Sequence, residues 1–234
     1  MNEATPYNPL DKINLGKSVA EALLGRKPRP LAGLDSFTGA GLYALYYRGE
    51  APPYERLAAL NRGDDPQAPI YVGKAIPEGA RKGGIGKAGA TTTALFRRLV
   101  EHADSIRATP TLNVDDFVCR FLVVDDIWIP LGESLLIAKF SPIWNTSIDG
   151  FGNHDPGKGR YNGMRPRWDV LHPGRGWAER CQPRAELAEH IASEVAARLQ
   201  TTLPLAKPHF YVEQPVASYR ASASPPEADP TEQV

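Results

Sequence analysis

Cysteine is scarce in this sequence, with only Cys119 and Cys181 among 234 residues. Two thiols cannot form a disulfide framework, and neither sits in the paired Cys/His spacing of a structural zinc site. Cys119 falls in a strand-like run and is expected to be a buried small apolar residue. Long apolar runs are also missing, and the opening stretch MNEATPYNPLDKINLGKSVA contains no apolar signal core, so a reducing, cytoplasmic setting is expected. Internal repeats are absent. Net charge is zero, with 27 Lys and Arg against 27 Asp and Glu, which argues against a protein that coats nucleic acid by bulk charge.

What is present suits one ordinary core. Hydrophobic residues make up 42% and charged residues 23%, close to globular averages. The charge is unevenly placed. Between residues 74 and 107 stand seven cations (Lys74, Arg81, Lys82, Lys87, Arg97, Arg98, Arg107) against three anions, and residues 150–184 again hold seven against three. Two basic patches on a neutral chain suit a polyanion held at a defined face.

Periodicity divides the chain. Residues 1–36 form an N-terminal arm with a short helix near Leu15 to Leu24, broken by KPRPLAG. Phe37 to Arg48 alternates and is rich in aromatics, which predicts a strand; Pro52 to Asn61 predicts a short helix, and Pro69 to Ala75 a second strand. After the loop IPEGARKGGIGKAGA, Thr91 to Thr93 offer caps for a helix to about Ile106 with Leu95, Leu99 and Ile106 on one face. Phe117 to Val124 reads as a third strand. Pro130 opens a helix that carries Glu133 in its first turn and ends before Pro142. Residues 145–178 show no period, a helix returns from Arg184 to Gln200 on Leu187, Ile191, Val195 and Leu199, and residues 220–234 read as a disordered tail. The order strand, strand, helix, strand, helix predicts an α+β domain with a small sheet.

One ordered set of side chains carries chemistry. Gly41-Leu42-Tyr43 and Tyr71-Val72-Gly73 are followed by Arg98 and His102 one helical turn apart, then Glu133, then Asn145 in PIWNTS. Phosphodiester hydrolysis needs an activated water, charge stabilisation for a crowded phosphorus and help for the departing oxygen, commonly with a metal ion. Arg98 and His102, four residues apart, flank the apolar helix stripe and so reach a cleft while held against a sheet. Arg97 is expected to pair with Glu101 at the i,i+4 spacing. A phenol is a poor base at neutral pH unless a cation lowers its pKa, a shift that Arg98, Lys74 or a metal would supply, and the base is left open between Tyr43 and His102. Gly84 to Gly89 matches G-x-G-x-x-G, but the preceding strand ends near Ala75, too far upstream for a dinucleotide turn.

This set resembles the GIY-YIG nuclease superfamily over about residues 37–147, with Leu42 and Val72 in place of the two motif isoleucines. The resemblance implies that the small sheet is antiparallel and flanked by helices. It also makes Tyr43 and Tyr71 the motif tyrosines, Arg98 the helix arginine and Glu133 the ligand of Mg2+, with Mn2+ as a substitute. A single glutamate is acceptable because magnesium keeps most of its waters. His102 and Asn145, together with the insertion 48–68, match the restriction-endonuclease branch, which is similar to type II enzymes cutting the palindrome CCGCGG. From there follow double-stranded DNA as substrate, a homodimer that cuts one strand per subunit, and a cognate methyltransferase on the same site. Residues 148–219 become a DNA-contacting loop and C-terminal helix. Lys74, Arg81, Lys82, Lys87, Arg160, Arg165 and Arg167 are the expected DNA contacts, to bases or to phosphates. A homing or repair nuclease, or a non-catalytic DNA-binding module, is the competing expectation.

Overall fold

Gly41–Tyr47 (β2) has no charged or strongly polar position along GLYALYY, and all seven residues are buried. Such a strand is stable only if both faces of its sheet are covered. The computed structural model, which describes residues 6–76 and 92–202, supplies both covers. The strands Arg29–Pro30 (β1), β2, Tyr71–Ala75 (β3) and Phe117–Val123 (β4) form one antiparallel sheet in the order β1-β4-β2-β3. The fold is therefore α+β, with a small antiparallel sheet flanked by helices, as expected.

The period-two alternation of β2 assigns its side chains to two cores. Tyr43, Leu45 and Tyr47 join Leu95, Leu99 and Ile106 of α3 (Ala94–Arg107), Trp144, Trp168, and Ile191, Val195 and Leu199 of the C-terminal helix α8 (Ala188–Thr202). On the other face, Leu42, Ala44 and Tyr46 meet Ala20 and Leu23 of α1 (Lys12–Leu24) and Leu136 of α4 (Ile129–Phe140). Burying a large apolar side chain stabilises by about 1.5–3 kcal/mol, so each face makes a substantial contribution.

Several expectations change in detail. The N-terminal segment is no loose arm: α1, capped by Asp11, roofs the second face of the sheet. KPRP is not simply a break, because Arg29 and Pro30 pair with Cys119 and Val118 as an edge strand, where proline's missing N–H does no harm. Phe37 lies before β2 and stacks on Phe121 with ring centroids 4.4 Å apart. The insertion 48–68 folds back through α2 (Glu55–Asn61). The buried Asn61 amide donates to Tyr47 O and Ala68 O and accepts from Gln67 N and Ala68 N, at 2.8–3.1 Å.

α4 begins at Ile129, with Pro130 in its opening turn, so Glu133 falls just past the first turn rather than within it. Leu187 is exposed, because α8 starts only at Ala188. No boundary falls at residue 148, since Ile148, Phe151 and Trp168 belong to the same core as Tyr43. The 220–234 tail lies outside the described residues. Cys119 is buried as expected, and burial pushes its thiol up to about 12.

Candidate active site

The two tripeptides meet across one strand pair. The register places Tyr43 opposite Gly73 and Leu45 opposite Tyr71, so both tyrosines lie on the first face of the sheet with ring centroids 6.2 Å apart. Gly73 is required by this closeness, because a Cβ there would run into the Tyr43 hydroxyl. That contact explains why a glycine ends the second tripeptide.

α3 brings the next two residues. Leu95, Leu99 and Ile106 seat the helix on the sheet, and the same stripe buries His102, whose Nε2 lies 2.5 Å from Tyr43 Oη. Burial, helped by the charge of Arg98, holds the imidazole well below its ordinary pKa. Burial, reinforced by Tyr71, pushes Tyr43 well above its own, and Arg98 offsets only part of this. Both groups are uncharged at neutral pH. The expectation that a nearby cation would bring Tyr43 down toward neutrality is therefore not met in the free protein: desolvation of the phenolate outweighs Arg98.

Arg98 occupies the border between this buried pair and an open cleft. The cleft, about 490 Å³, is lined by Lys74, Ala75, Ile76, Ala94, Arg97, Arg98, Glu101 and His154, with Tyr43 and His102 buried behind Arg98. The guanidinium donates to Gly152 O at 2.6 Å, to Glu101 Oε2 at 3.1 Å and to His154 Nε2 at 2.5 Å. Glu101 thus pairs with Arg98 rather than with Arg97, which is left exposed in the cleft. Glu101 offsets part of the Arg98 charge, and the guanidinium still borders the cleft.

Glu133 reaches the same region from α4. Its carboxylate is mostly buried and takes the Lys74 ammonium at 2.7 Å. The chemistry of this donor set decides which metal it fits. Among the described residues no three His, Cys, Asp or Glu side chains converge, which rules out the closed ligand set of structural zinc there. The one carboxylate here is ion-paired with Lys74, so a mostly hydrated Mg2+ or Mn2+ ion would fit only with that ammonium displaced.

Asn145 is placed differently from the others. β3 is the edge of the sheet, and Asn145, from the short helix α5 (Ile143–Thr146), accepts from Val72 N and donates to Val72 O, both at 2.8 Å. The side chain stands in for a missing strand and fixes β3, which carries Tyr71 and Lys74. Its amide is occupied there.

Sequence reasoning missed the segment that closes the site. Phe151 stacks on the His102 ring at 4.5 Å, almost parallel, and Gly152 and His154 hold Arg98. A Cβ at Gly152 would lie 2.5 Å from Tyr71 Oη, so glycine is needed for the loop to come this close. FGNHD has no period to mark it. Its one visible signal was a histidine beside an aromatic residue in a glycine-rich stretch.

The expected DNA contacts divide. Arg81, Lys82 and Lys87 lie outside the described residues. Arg160 is exposed, as is Lys158, and Lys74 lines the cleft. Arg165 and Arg167 point inward instead. Arg165 donates to Ala178 O and Glu179 O, and Arg167 binds Ser147 O, Glu186 and Glu194. The second basic patch is largely cancelled for the same reason: Asp149, Glu186 and Glu194, which neutralise its arginines, lie outside the window in which charge was counted.

An antiparallel sheet with G-x-Y and Y-x-G on neighbouring strands, an Arg/His helix across them and a glutamate from the next helix defines a GIY-YIG-type nuclease domain. A family model described as the Eco29kI GIY-YIG domain matches residues 35–199, and the chain belongs to this restriction-endonuclease family. The match runs well past residue 147, where the resemblance had ended, and takes in the Phe151 segment. No curated protein matches the sequence. The family makes the chain a DNA-binding, restriction-type nuclease. Among the described residues no helix is long and apolar enough to cross a membrane.

Proposed function

We propose that this chain is a Mg2+-dependent type II restriction endonuclease that, as a homodimer, cuts both strands of a short, GC-rich palindrome of the CCGCGG kind, paired with a methyltransferase for the same site. The observation that carries the catalytic part is the 2.5 Å Tyr43–His102 bond behind Arg98. Two uncharged groups in contact form a relay. As Tyr43 Oη accepts a proton from the attacking water, it passes its own to His102 Nε2, and no isolated buried phenolate has to form. The imidazolium produced needs compensation, which the negative charge gathering on the phosphorane beside Arg98 supplies.

Arg98 serves two states. In the free protein it rests on Gly152 O and His154; on substrate it turns its remaining N–H groups to the scissile phosphate, where its fork suits two oxygens at once. Tyr71, beside Tyr43 on the same face of the sheet, positions the water. Glu133 would hold the magnesium ion, which when bound polarises the phosphate and stabilises the leaving 3′-oxygen. Lys74, displaced from Glu133, then joins Arg97 in contacting the backbone, and Arg160 and Lys158 extend the contact surface. Asn145 keeps β3 in place throughout. A palindromic site calls for a two-fold symmetric reader, which is the reason for the dimer.

The test is Glu133→Gln assayed in two metals. Binding to plasmid in Ca2+ should stay within about threefold of wild type, because the change touches one group among many phosphate contacts. Cleavage in Mg2+ should fall by at least about 10³-fold, the scale of losing charge stabilisation at the reacting phosphate. Retained cleavage would remove Glu133 and the metal role from the mechanism.

A further inference from the structure

Behind the Phe151 segment lies a buried guanidinium that the mechanism above does not use. Arg175 and Asp169 are both buried and form a two-pronged pair, Nε to Oδ1 at 2.7 Å and NH2 to Oδ2 at 2.6 Å. The remaining N–H groups go to main-chain carbonyls of one short stretch: Gly150 O at 2.8 Å, Phe151 O at 3.1 Å and Asn153 O at 3.3 Å. A guanidinium has five N–H donors in a fixed plane, and here all five are taken. Its flat faces are covered as well, with the rings of Trp168 at 4.5 Å and Trp177 at 4.8 Å from Cζ. Few arrangements fix a loop more fully.

The same stretch touches the reacting groups from its other side. Phe151 lies on the His102 ring, and Gly152 O and the His154 imidazole hold Arg98. We infer that Arg175 is a positioning residue for the Tyr43–His102 pair and for Arg98, acting through residues 150–154, which it clamps. The inference rests on the hydrolytic role proposed for that pair. Asp169 and the two tryptophans orient the clamp, and α6 (Arg167–Leu171) and α7 (Gly176–Glu179) carry three of these four residues with Arg175 between them. The aperiodic arginine-rich segment thus serves the interior of the site as well as its surface.

Arg175→Lys tests this, because lysine keeps the charge but offers three donors in no fixed plane. His102 is faced by Tyr43 from β2, Tyr71 from β3, Arg98 on its own helix, His154 from the loop and Arg175 beyond Phe151. Loosening the loop admits water to the imidazole, so its titration, followed by NMR in the full-length free protein, should move up by about one unit or more. Single-turnover cleavage of saturating plasmid in Mg2+ should slow about 10–100-fold, as misplacement near 1 Å does, with affinity in Ca2+ unchanged. Phe151→Leu, which leaves the clamp intact, should shift the His102 titration in the same direction. Arg120→Lys, a buried arginine on the opposite face of the sheet, should lower stability and leave both readouts alone.

A folded Arg175→Lys protein with wild-type His102 titration and cleavage rate overturns the inference. If Arg175→Lys does not fold, an unshifted His102 in Phe151→Leu does so. The titration needs no DNA. A wild-type protein that fails to cut would therefore count against the nuclease reading while leaving the clamp to be judged by NMR.

Discussion

Two buried Tyr–His pairs stand in one core, and only one of them borders the cleft. Tyr43 Oη lies 2.5 Å from His102 Nε2, and Tyr54 Oη lies 2.7 Å from His172 Nε2 while also accepting from Trp144 Nε1 at 3.0 Å. Tyr43→Phe and Tyr54→Phe each delete one oxygen and keep the ring, so packing is preserved. Tyr43→Phe leaves one buried imidazole nitrogen without its partner, a cost of about 1–3 kcal/mol; Tyr54→Phe strands two groups and should cost at least as much. If the Tyr43–His102 pair is the proton relay, the kinetic consequences are reversed. Tyr43→Phe should slow single-turnover cleavage by about 10²–10⁴-fold, the usual contribution of general base catalysis, while Tyr54→Phe stays within about threefold of wild type. Urea midpoints and quench-flow rates on the two variants suffice. The relay is refuted if Tyr43→Phe cleaves at the wild-type rate, or if both variants slow equally.

Other consequences follow from the same contacts. His102 and His172 are both held neutral by burial, His172 at about 3, so the unfolded chain binds protons that the native state refuses. Stability should be intact above pH 6.5 and fall as pH drops below it, by about 2 kcal/mol at pH 5 from His172 and further in the same direction from His102, visible as a shrinking urea midpoint; a flat profile from pH 7 to 5 would contradict the burial argument. Asn145→Ala unpairs Val72 N and O at the sheet edge and should cost about 2–4 kcal/mol, with cleavage recovering toward wild type at low temperature where the fold is retained; a fully stable but inactive Asn145→Ala would instead place the amide in the chemistry. Arg160→Ala should weaken DNA binding and reduce the salt slope by about 1, whereas Arg167→Ala, which leaves Glu186 and Glu194 facing each other, should lower stability with the slope unchanged.

How far the sequence could be read depended on whether a residue's partner lay within one element. GLYALYY announced a strand but not that both of its faces are covered, and Leu95, Leu99 and Ile106 announced the helix face that carries His102. Tyr43, Tyr71, Arg98, His102 and Glu133 gather at one end of the sheet because each sits at a regular offset within its own strand or helix. The remainder is tertiary. The two bonds from Asn145 to Val72 cross 73 residues, and nothing local to PIWNTS shows that the amide completes a strand edge. Arg167 meets Glu186 and Glu194 from 19 and 27 positions away, so a charge count over a window saw a basic surface where the fold makes ion pairs. Phe151, Gly152 and His154 form part of the site without secondary structure of their own. They are held from behind by Arg175, and a loop fixed by a buried guanidinium has no sequence period. The role of α1 is not legible in residues 1–36 alone, because the apolar second face that it covers is built by the sheet.

The proposed activity is cleavage of DNA at a defined site with a metal ion held at Glu133. Incubating the purified protein with unmethylated plasmid in Mg2+ and sequencing the fragment ends tests it most directly. The expected result is discrete fragments whose two ends are related by a two-fold axis within a short GC-rich palindrome, and no cutting by Glu133→Gln. Random ends, nicks confined to one strand, or intact plasmid after prolonged digestion would contradict it.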